Sequence, residues 1–475
     1  MLTSAQEAVL EQIIEAFQNG KRLVDLPEAE GTNPYDLLVE VCENGESKKA
    51  ALAAMLPYVE MEAAYGIEFD TAVSSPTCTR IGSSDLHKLL PIHNRLKGCL
   101  LDDNGKVVEY LMPSDWTGQV RDGSMGQVMV EIPSHYRKFV TSGTKRQVWL
   151  SELPLPGYHL VPKMYVSAYE ATIDRTNNKL ASVVNLTARY RGGNNQADWD
   201  NTYKTELGRP ATHKSLTEFR TLARARKANS SEWNCMTYDI QKTLYWLFAV
   251  EYATLNTQAA YNAQLDANGY RQGGLGNGVT NATDWATFDG SEPFVPCGHT
   301  DSLGNGTGQV EYIAEDTGDN ITEDVFVPRY RGVENPFGHI WQWTDGILVQ
   351  VHPAAGENVS KVFVCSDPSK FSSSSVENYT HIGNEERVGG YIKEIIFGEG
   401  GDIMPTLAGG GSTTYFCDNH YIKVDNTSIE LRGVRFGGGA SYGAAAGFAY
   451  SRSCDSPSAA GTVIGSRLCF IPATA

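Results

Sequence analysis

The stretch whose reading decides the fold runs Arg435-Phe-Gly-Gly-Gly-Ala-Ser-Tyr-Gly-Ala-Ala-Ala-Gly-Phe-Ala-Tyr-Ser-Arg-Ser-Cys-Asp-Ser-Pro-Ser458. It continues from Ala459 to Val463 and closes on Ile464-Gly-Ser-Arg-Leu-Cys-Phe470. Its ends read as fixed structural pieces, Arg435-Phe436-Gly437-Gly438 in front and the apolar run from Ile464 behind. Between them the residues are small, polar or aromatic and follow neither a helical nor a strand period. From Gly439 to Val463 there is no Lys, Glu, Gln, Met or Trp. Every residue present there can be encoded by a codon ending in a pyrimidine, which is what randomising the first two bases of an Asn-type AAC or AAT codon leaves behind. A Gly/Ala/Ser-rich loop selected for flexibility would have the same composition, so composition alone leaves both readings open.

Four pieces of this stretch carry a resemblance: Arg435-Phe-Gly-Gly438, Gly443-Ala-Ala-Ala-Gly-Phe448, Ser456-Pro-Ser458 and Ile464-Gly-Ser-Arg-Leu468. Together they resemble the variable region of proteins diversified by retroelements, C-type-lectin-fold receptor-binding proteins that include phage tropism determinants. Upstream, Tyr330-Arg-Gly-Val-Glu-Asn-Pro-Phe-Gly-His-Ile-Trp-Gln-Trp-Thr-Asp-Gly346 is similar to the Gly-Asn-Val-Trp-Glu-Trp core segment of the formylglycine-generating-enzyme branch of that fold. His, Ile and Gln stand here for its Asn, Val and Glu. The resemblance implies an α+β chain with a C-type-lectin-like C-terminal domain that reaches back to about Leu160.

Length and charge narrow the field. A chain of 475 residues has room for two to four domains. A net charge of −17 argues against phosphate-backbone binding, which relies on a basic surface. No apolar run approaches the ~20 residues of a membrane span, and Met1-Leu-Thr-Ser-Ala-Gln-Glu7 shows no secretory signal. The nine cysteines, Cys42, Cys78, Cys99, Cys235, Cys297, Cys365, Cys417, Cys454 and Cys469, are scattered and odd in number, without a C-x-x-C pair. They indicate neither zinc nor a disulfide framework, and reduced thiols in a cytoplasmically made protein are the simplest reading.

Along the chain, Ser4-x-x-Glu7 is a capping box, and Val9, Leu10, Ile13, Ile14 and Phe17 form an apolar stripe, so a first helix is expected up to Asn19-Gly20. A second short helix is expected over 47–56. Strand signals follow, with a hairpin around Asp103-Asn104-Gly105 and a strand from Gly126 closed by Pro133. The punctuated run 148–159 suggests a domain border near Glu152. Ser215-Leu-Thr-Glu218 heads a helix through Lys227 whose basic residues Arg220, Arg224, Arg226 and Lys227 read as a solvated face. Thr237 caps the strongest helical pattern, Ile240, Leu244, Leu247, Phe248 and Leu255, with one buried face. Residues 262–320 read as a long loop, and 372–375 as another surface loop. The expected organisation is a helical attachment and oligomerisation segment at 1–62, a β-rich intermediate domain at 63–152, and a C-type-lectin-like domain at 153–475 with its variable region at about 435–470.

Trp341 and Trp343, at period two on an apolar strand, read as core, and His339 as a satisfied structural histidine. Asp198, Asp200, Asp284, Asp289 and Asp319 offer oxygen ligands, yet no Asp-x-Asp-x-Asp-Gly loop is present. No cofactor is therefore expected, calcium being the one ion this chemistry would admit. The resemblance also admits a formylglycine-generating-type oxidase, which uses a close cysteine pair to bind copper; Cys454 and Cys469 depart from that spacing. A cellular surface protein with the same diversified module is a further alternative.

The reading preferred on the resemblance is a non-enzymatic phage tail receptor-binding protein, made in the host cytoplasm and carried on the virion tail. It would be a homotrimer held to the tail or baseplate through its N-terminal segment, binding a bacterial surface glycan or protein, with neither nucleic-acid binding nor membrane insertion. The ligand-binding positions expected are Gly439, Ser441, Tyr442, Ala445, Ser451, Arg452, Ser453, Cys454, Asp455, Ala459, Ala460 and Thr462. They should be mostly exposed, with Tyr442 and Arg452 as anchors that can be truncated without loss of stability. Phe436, Phe448, Ile464, Leu468 and Phe470 are expected in the core.

Overall fold

The computed structural model describes residues 38–43, 46–51, 59–192, 207–275, 295–315 and 322–473. The helix expected over the first twenty residues lies outside them. Within them the chain is rich in strand, with few helices.

The first described element corrects an expectation. Leu38–Glu43 and Glu46–Ala51 pair antiparallel with Glu43 opposite Glu46, where a helix was expected from residue 47. Lys48, Lys49, Ala50 and Ala51 favour helix by propensity, but Asn44-Gly45 between the strands is the dipeptide that a two-residue hairpin turn demands. The strand pairing overrides the propensity.

Three large sheets follow. The first orders His159–Val161, His135–Ser142, Lys145–Ser151, Ala64–Asp70 and Thr79–Gly82. The second has six strands: Trp233–Cys235, Arg467–Phe470, Met164–Glu170, Gln127–Ile132, Lys97–Leu101 and Val107–Tyr110. The expected hairpin supplies its last two, and Asp102 Oδ1 accepts from the Asn104 and Lys106 amides at the turn. This sheet crosses the border expected near Glu152, because Met164–Glu170 hydrogen-bonds to Gln127–Ile132 on one edge and to Arg467–Phe470 on the other. The third sheet has nine strands in the order Thr380–Asn384, Ser360–Val364, Trp341–Val351, Glu430–Gly437, Gly447–Arg452, Asn419–Tyr421, Gly390–Phe397 and Asp402–Ala408, with Ile464–Gly465 pairing Trp341–Val351 as the ninth. The 262–320 region is less irregular than its composition suggests, since Gly308–Glu315 pairs over its whole length with Thr322–Tyr330.

Three of the described helices matter here. Helix α1 is Ser84–Leu89. Helix α2, Leu216–Arg224, begins in the expected capping box: Ser215 accepts from the Glu218 amide while Glu218 accepts from the Ser215 amide. Two of its four basic residues are not solvated, and Arg224 and Lys227 are half-buried. Arg220 is buried and grips Asp345 with two hydrogen bonds at 2.5 and 2.9 Å, and Arg226 is buried against the Leu180 carbonyl and Asp103. Helix α3, Tyr238–Tyr252, is buried at every position except Asp239, so it serves as an internal post rather than a one-faced helix. Its charged residues are matched accordingly: Lys242 meets Asp402 at 3.2 Å, and Glu251 meets Arg331 at 2.6 Å.

Trp341 and Trp343 are in the core, as are Phe436, Phe448, Ile464, Leu468 and Phe470. His339 is buried, with Nδ1 2.5 Å from Glu170 and Nε2 accepting from the Val295 amide. Truncating Trp341 to alanine leaves an unfilled core cavity and is expected to cost about 3–5 kcal/mol of stability, measurable in denaturant titrations. Gly447→Ala is expected to destabilise comparably, because a Cβ there would lie 1.9 Å from Asp418 Oδ1, a buried group with no room to retreat.

Candidate functional site

The segment from Gly439 to Val463 is suspended between two sheet strands. Glu430–Gly437 leads in, paired on one side with Trp341–Val351 and on the other with Gly447–Arg452. Gly437 and Gly438, at φ 99° and 78°, turn the chain out of the sheet, a conformation that other residues strain to adopt. A 3-10 turn over Ala440–Ala445 follows, broken at Gly443.

What holds this segment is its main chain. The Ala440 amide donates to the His339 carbonyl at 2.9 Å, and Gln258 Nε2 donates to the carbonyls of Gly443 and Ala446. Gln241 Nε2, from α3, donates to the Phe448 carbonyl at 2.7 Å. Further along, the carbonyls of Asp455, Pro457, Gly461 and Val463 accept from the amides of Gly433, Leu216, His213 and Trp341, at 2.9 to 3.1 Å. None of these bonds depends on a side chain within the segment.

The side chains divide by depth. Ser441 and Ala460 are exposed, and Tyr442, Ala445, Arg452, Asp455, Ala459 and Thr462 are half-buried. Gly439, Ser451, Ser453 and Cys454 are buried, which corrects the expectation of exposure for these four. For Ser451 the cause is the strand Gly447–Arg452, which lies inside the nine-stranded sheet, Ser453 continues beside it with its amide on the Tyr421 carbonyl, and Gly439 bridges to His339. Ser451 and Ser453 turn inward while Arg452 between them reaches the surface, and Cys454 is covered by Arg435, Arg452 and Asp455. Ser451 Oγ meets His420 Nδ1 at 3.1 Å, and Ser453 Oγ donates to Glu385 at 2.6 Å.

Just beneath the surface, the buried Trp341 and Tyr450 and the half-buried Tyr442 form an edge-to-face cluster with ring centroids 4.7 to 5.4 Å apart. The Arg452 guanidinium lies 4.7 Å from the Tyr421 ring centre and 5.7 Å from that of Trp341, and its Nη1 donates to the Tyr442 hydroxyl at 3.1 Å. Its Nε is 2.9 Å from Cys454 Sγ. Arg435 pairs with Asp455, which is 3.9 Å from Arg452. Tyr442 therefore belongs partly to the core, and its truncation is not free of structural cost as expected from sequence. The sequence reading missed Tyr421, Glu385 and His420, which no local pattern marks. Parallel pairing of Asn419–Tyr421 with Gly447–Arg452 brings His420 and Tyr421 there, and the Glu385 amide is held by the Ser360 carbonyl.

The cysteines of the oxidase alternative sit apart chemically. Cys454 lies among Arg452, Arg435 and Asp455, and Cys469 lies 3.8 Å from Met236 Sδ. Asp198, Asp200, Asp284, Asp289 and Asp319 are outside the described residues. A cavity of about 440 Å³ lined by Arg137, Phe139, Asp239, Lys242 and Thr243 is formed without any residue of the 435–463 stretch.

Beneath the segment, burial pushes the Glu385 carboxyl up to about 8 and the His420 imidazole down to about 4, so both are neutral at pH 7. Glu385 Oε2 has no hydrogen-bond partner. Between the ordinary value of 4.5 and about 8 the folded chain keeps the Glu385 proton that the unfolded chain has lost, so this group's contribution makes stability fall as pH rises. His420 acts oppositely, but only up to its ordinary 6.5. Stability is therefore expected to fall by about 1 kcal/mol between pH 7 and 8 on account of Glu385. Glu385→Gln, which keeps an acceptor for Ser453, should flatten that fall; an unchanged slope in denaturant titrations at the two pH values would contradict it.

No family model matches the sequence, and no curated protein is similar to it. Among solved structures the chain is similar to the Major Tropism Determinant M1 variant, at 11% identity over 91% of each chain with a TM-score of 0.23. It is also similar to the Major Tropism Determinant U1 variant, at 11% identity over 89% of this chain and 88% of that one, with a TM-score of 0.22.

Proposed function

We propose that this chain is a receptor-binding adhesin of a phage tail, which presents a diversified surface on a C-type-lectin-like, formylglycine-generating-enzyme-related C-terminal fold and makes no covalent change in its ligand. Residues 1–62 would attach it to the tail and assemble a homotrimer, and 63–152 would connect that segment to the binding module. The bacterial surface receptor would meet Ser441, Tyr442, Ala445, Arg452, Asp455, Ala459, Ala460 and Thr462. Gly439, Ser451, Ser453 and Cys454 would support the face from behind.

One observation carries this reading: the segment's main chain is bonded at both ends and in the middle through backbone atoms, while small side chains around a tyrosine–arginine cluster project from it. Such a loop keeps its course when those side chains change, which is what a surface with interchangeable contacts requires. Tyrosine and arginine are the residue types that dominate binding hot spots.

Adsorption of the purified full-length chain to a panel of bacterial strains tests it. Arg452→Ala is expected to weaken adsorption to a susceptible strain by about 1–4 kcal/mol, with only a small change in melting temperature. Tyr442→Ala should weaken it similarly but also cost about 1–3 kcal/mol of stability, through its lost contacts with Trp341 and Tyr450. Undiminished adsorption by a folded Arg452→Ala protein would sink the assignment of this face.

A further inference from the structure

The face around Arg452 carries a charge that its own residues leave unbalanced. Arg432 is paired with Glu430, and Arg435 with Asp455. Arg452 has Asp455 as its carboxylate neighbour, at 3.9 Å, and shares it with Arg435. Three guanidiniums thus face two carboxylates, a local excess of +1 on a chain whose net charge is −17. Glu385, the buried carboxyl behind Ser453, is neutral at pH 7 and does not offset it.

The shape around that charge is specific. Tyr421 is 42% exposed and lies against Arg452, and the Tyr442 hydroxyl accepts from the same guanidinium. The neighbouring surface is small: Ser441 and Ala444 are exposed and Ala445 is half-buried. A stable protein partner typically covers about 800 Å² of each surface and anchors several large side chains in a packed centre. Alanine, serine and glycine offer little of that. A pyranose ring needs less: one aromatic ring to lie against and a few hydrogen-bonding groups. A carboxylate on that ring would match the planar fork of Arg452.

Resting on the receptor-binding reading above, we propose that this face recognises an acidic glycan through a hexuronic acid residue, with Arg452 taking the carboxylate and Tyr421 and Tyr442 flanking the sugar ring. The recognition is non-covalent. A chain of net −17 repels polyanions as a whole, so their retention at physiological ionic strength reports a local contact.

The test is binding of the immobilised full-length protein to polygalacturonic acid, its methyl ester, neutral dextran and poly-L-glutamate. The expected result is binding to polygalacturonic acid, at least tenfold weaker binding to the methyl ester and to poly-L-glutamate, and none to dextran. Arg452→Gln should lose at least tenfold, Arg452→Lys should retain part, and Tyr421→Ala should lose severalfold, each in a protein whose melting curve still shows one cooperative folded state. No binding to polygalacturonic acid, equal binding to poly-L-glutamate, or an Arg452→Gln protein that binds as before each overturns the proposal. Cell adsorption that Arg452→Ala abolishes, without any affinity for polygalacturonic acid, overturns the glycan alone and leaves the receptor-binding reading standing. Adsorption indifferent to Arg452 overturns that reading itself.

Discussion

The buried guanidinium of Arg467 is the constraint from which the rest of the C-terminal half is arranged. It is 1% exposed and donates to Gln342 Oε1 at 3.1 Å, to the Ser167 and Asn335 carbonyls at 3.2 and 2.5 Å, and to the Glu334 carbonyl. Burying such a charge is costly unless its donors are satisfied. Here the acceptors come from two stretches distant in sequence, Ser167 and residues 334–342, so satisfying the arginine requires both to meet the final strand. Ser466 adds a bond to the Trp343 carbonyl at 2.7 Å, and Ser167 accepts from the Leu468 amide at 3.2 Å. The final strand is thereby held in the six-stranded sheet and against the start of the Trp341–Val351 strand together.

That clamp gives the preceding segment a fixed end, and Glu430–Gly437 gives it a fixed beginning. Helix α3 supplies the middle, since Gln241 reaches the Phe448 carbonyl and Trp246 donates to the Gly401 carbonyl on a neighbouring turn. A helix buried almost all round cannot tilt without disturbing several contacts at once. The surface loop is therefore positioned by the interior, and its rigidity does not depend on the identity of its exposed side chains.

Much of this was legible locally. The Ser215–Glu218 capping box, the hairpin turn at Asp102 to Lys106, the α3 helix and the period-two tryptophans all carry their physics in adjacent residues and are found, although α3 is buried almost all round and not on one face. What was not legible depends on partners distant in sequence. The Arg220 and Arg226 side chains read as solvated because Asp345 and Asp103 are more than a hundred residues away. Ser451 and Ser453 read as loop because small polar residues carry no strand signal, and their inward direction is set by pairing with Asn419–Tyr421 and Glu430–Gly437. The paired strands Leu38–Glu43 and Glu46–Ala51 are the exception: the Asn44-Gly45 dipeptide between them is a local signal, yet the sequence reads as a helix over 47–56.

The division between buried and projecting positions limits what a diversified surface here could accept. Ser453 donates to a buried carboxyl whose other oxygen already lacks a partner, so a residue there that cannot donate would leave two unsatisfied acceptor positions in the interior. Ser451 borders His420 with no exposure of its own, so a larger side chain would have to displace the sheet. At Ser441 or Ala460 neither restriction applies, because those side chains are exposed. Arg452 stands between the two cases. Its stem and guanidinium pack on Trp341 and Tyr421 while its head reaches solvent, so a replacement changes both the charge offered to a ligand and the cover over the aromatic cluster. Variation on this fold is thus cheapest at the rim and most consequential at Arg452, where recognition and packing share one side chain.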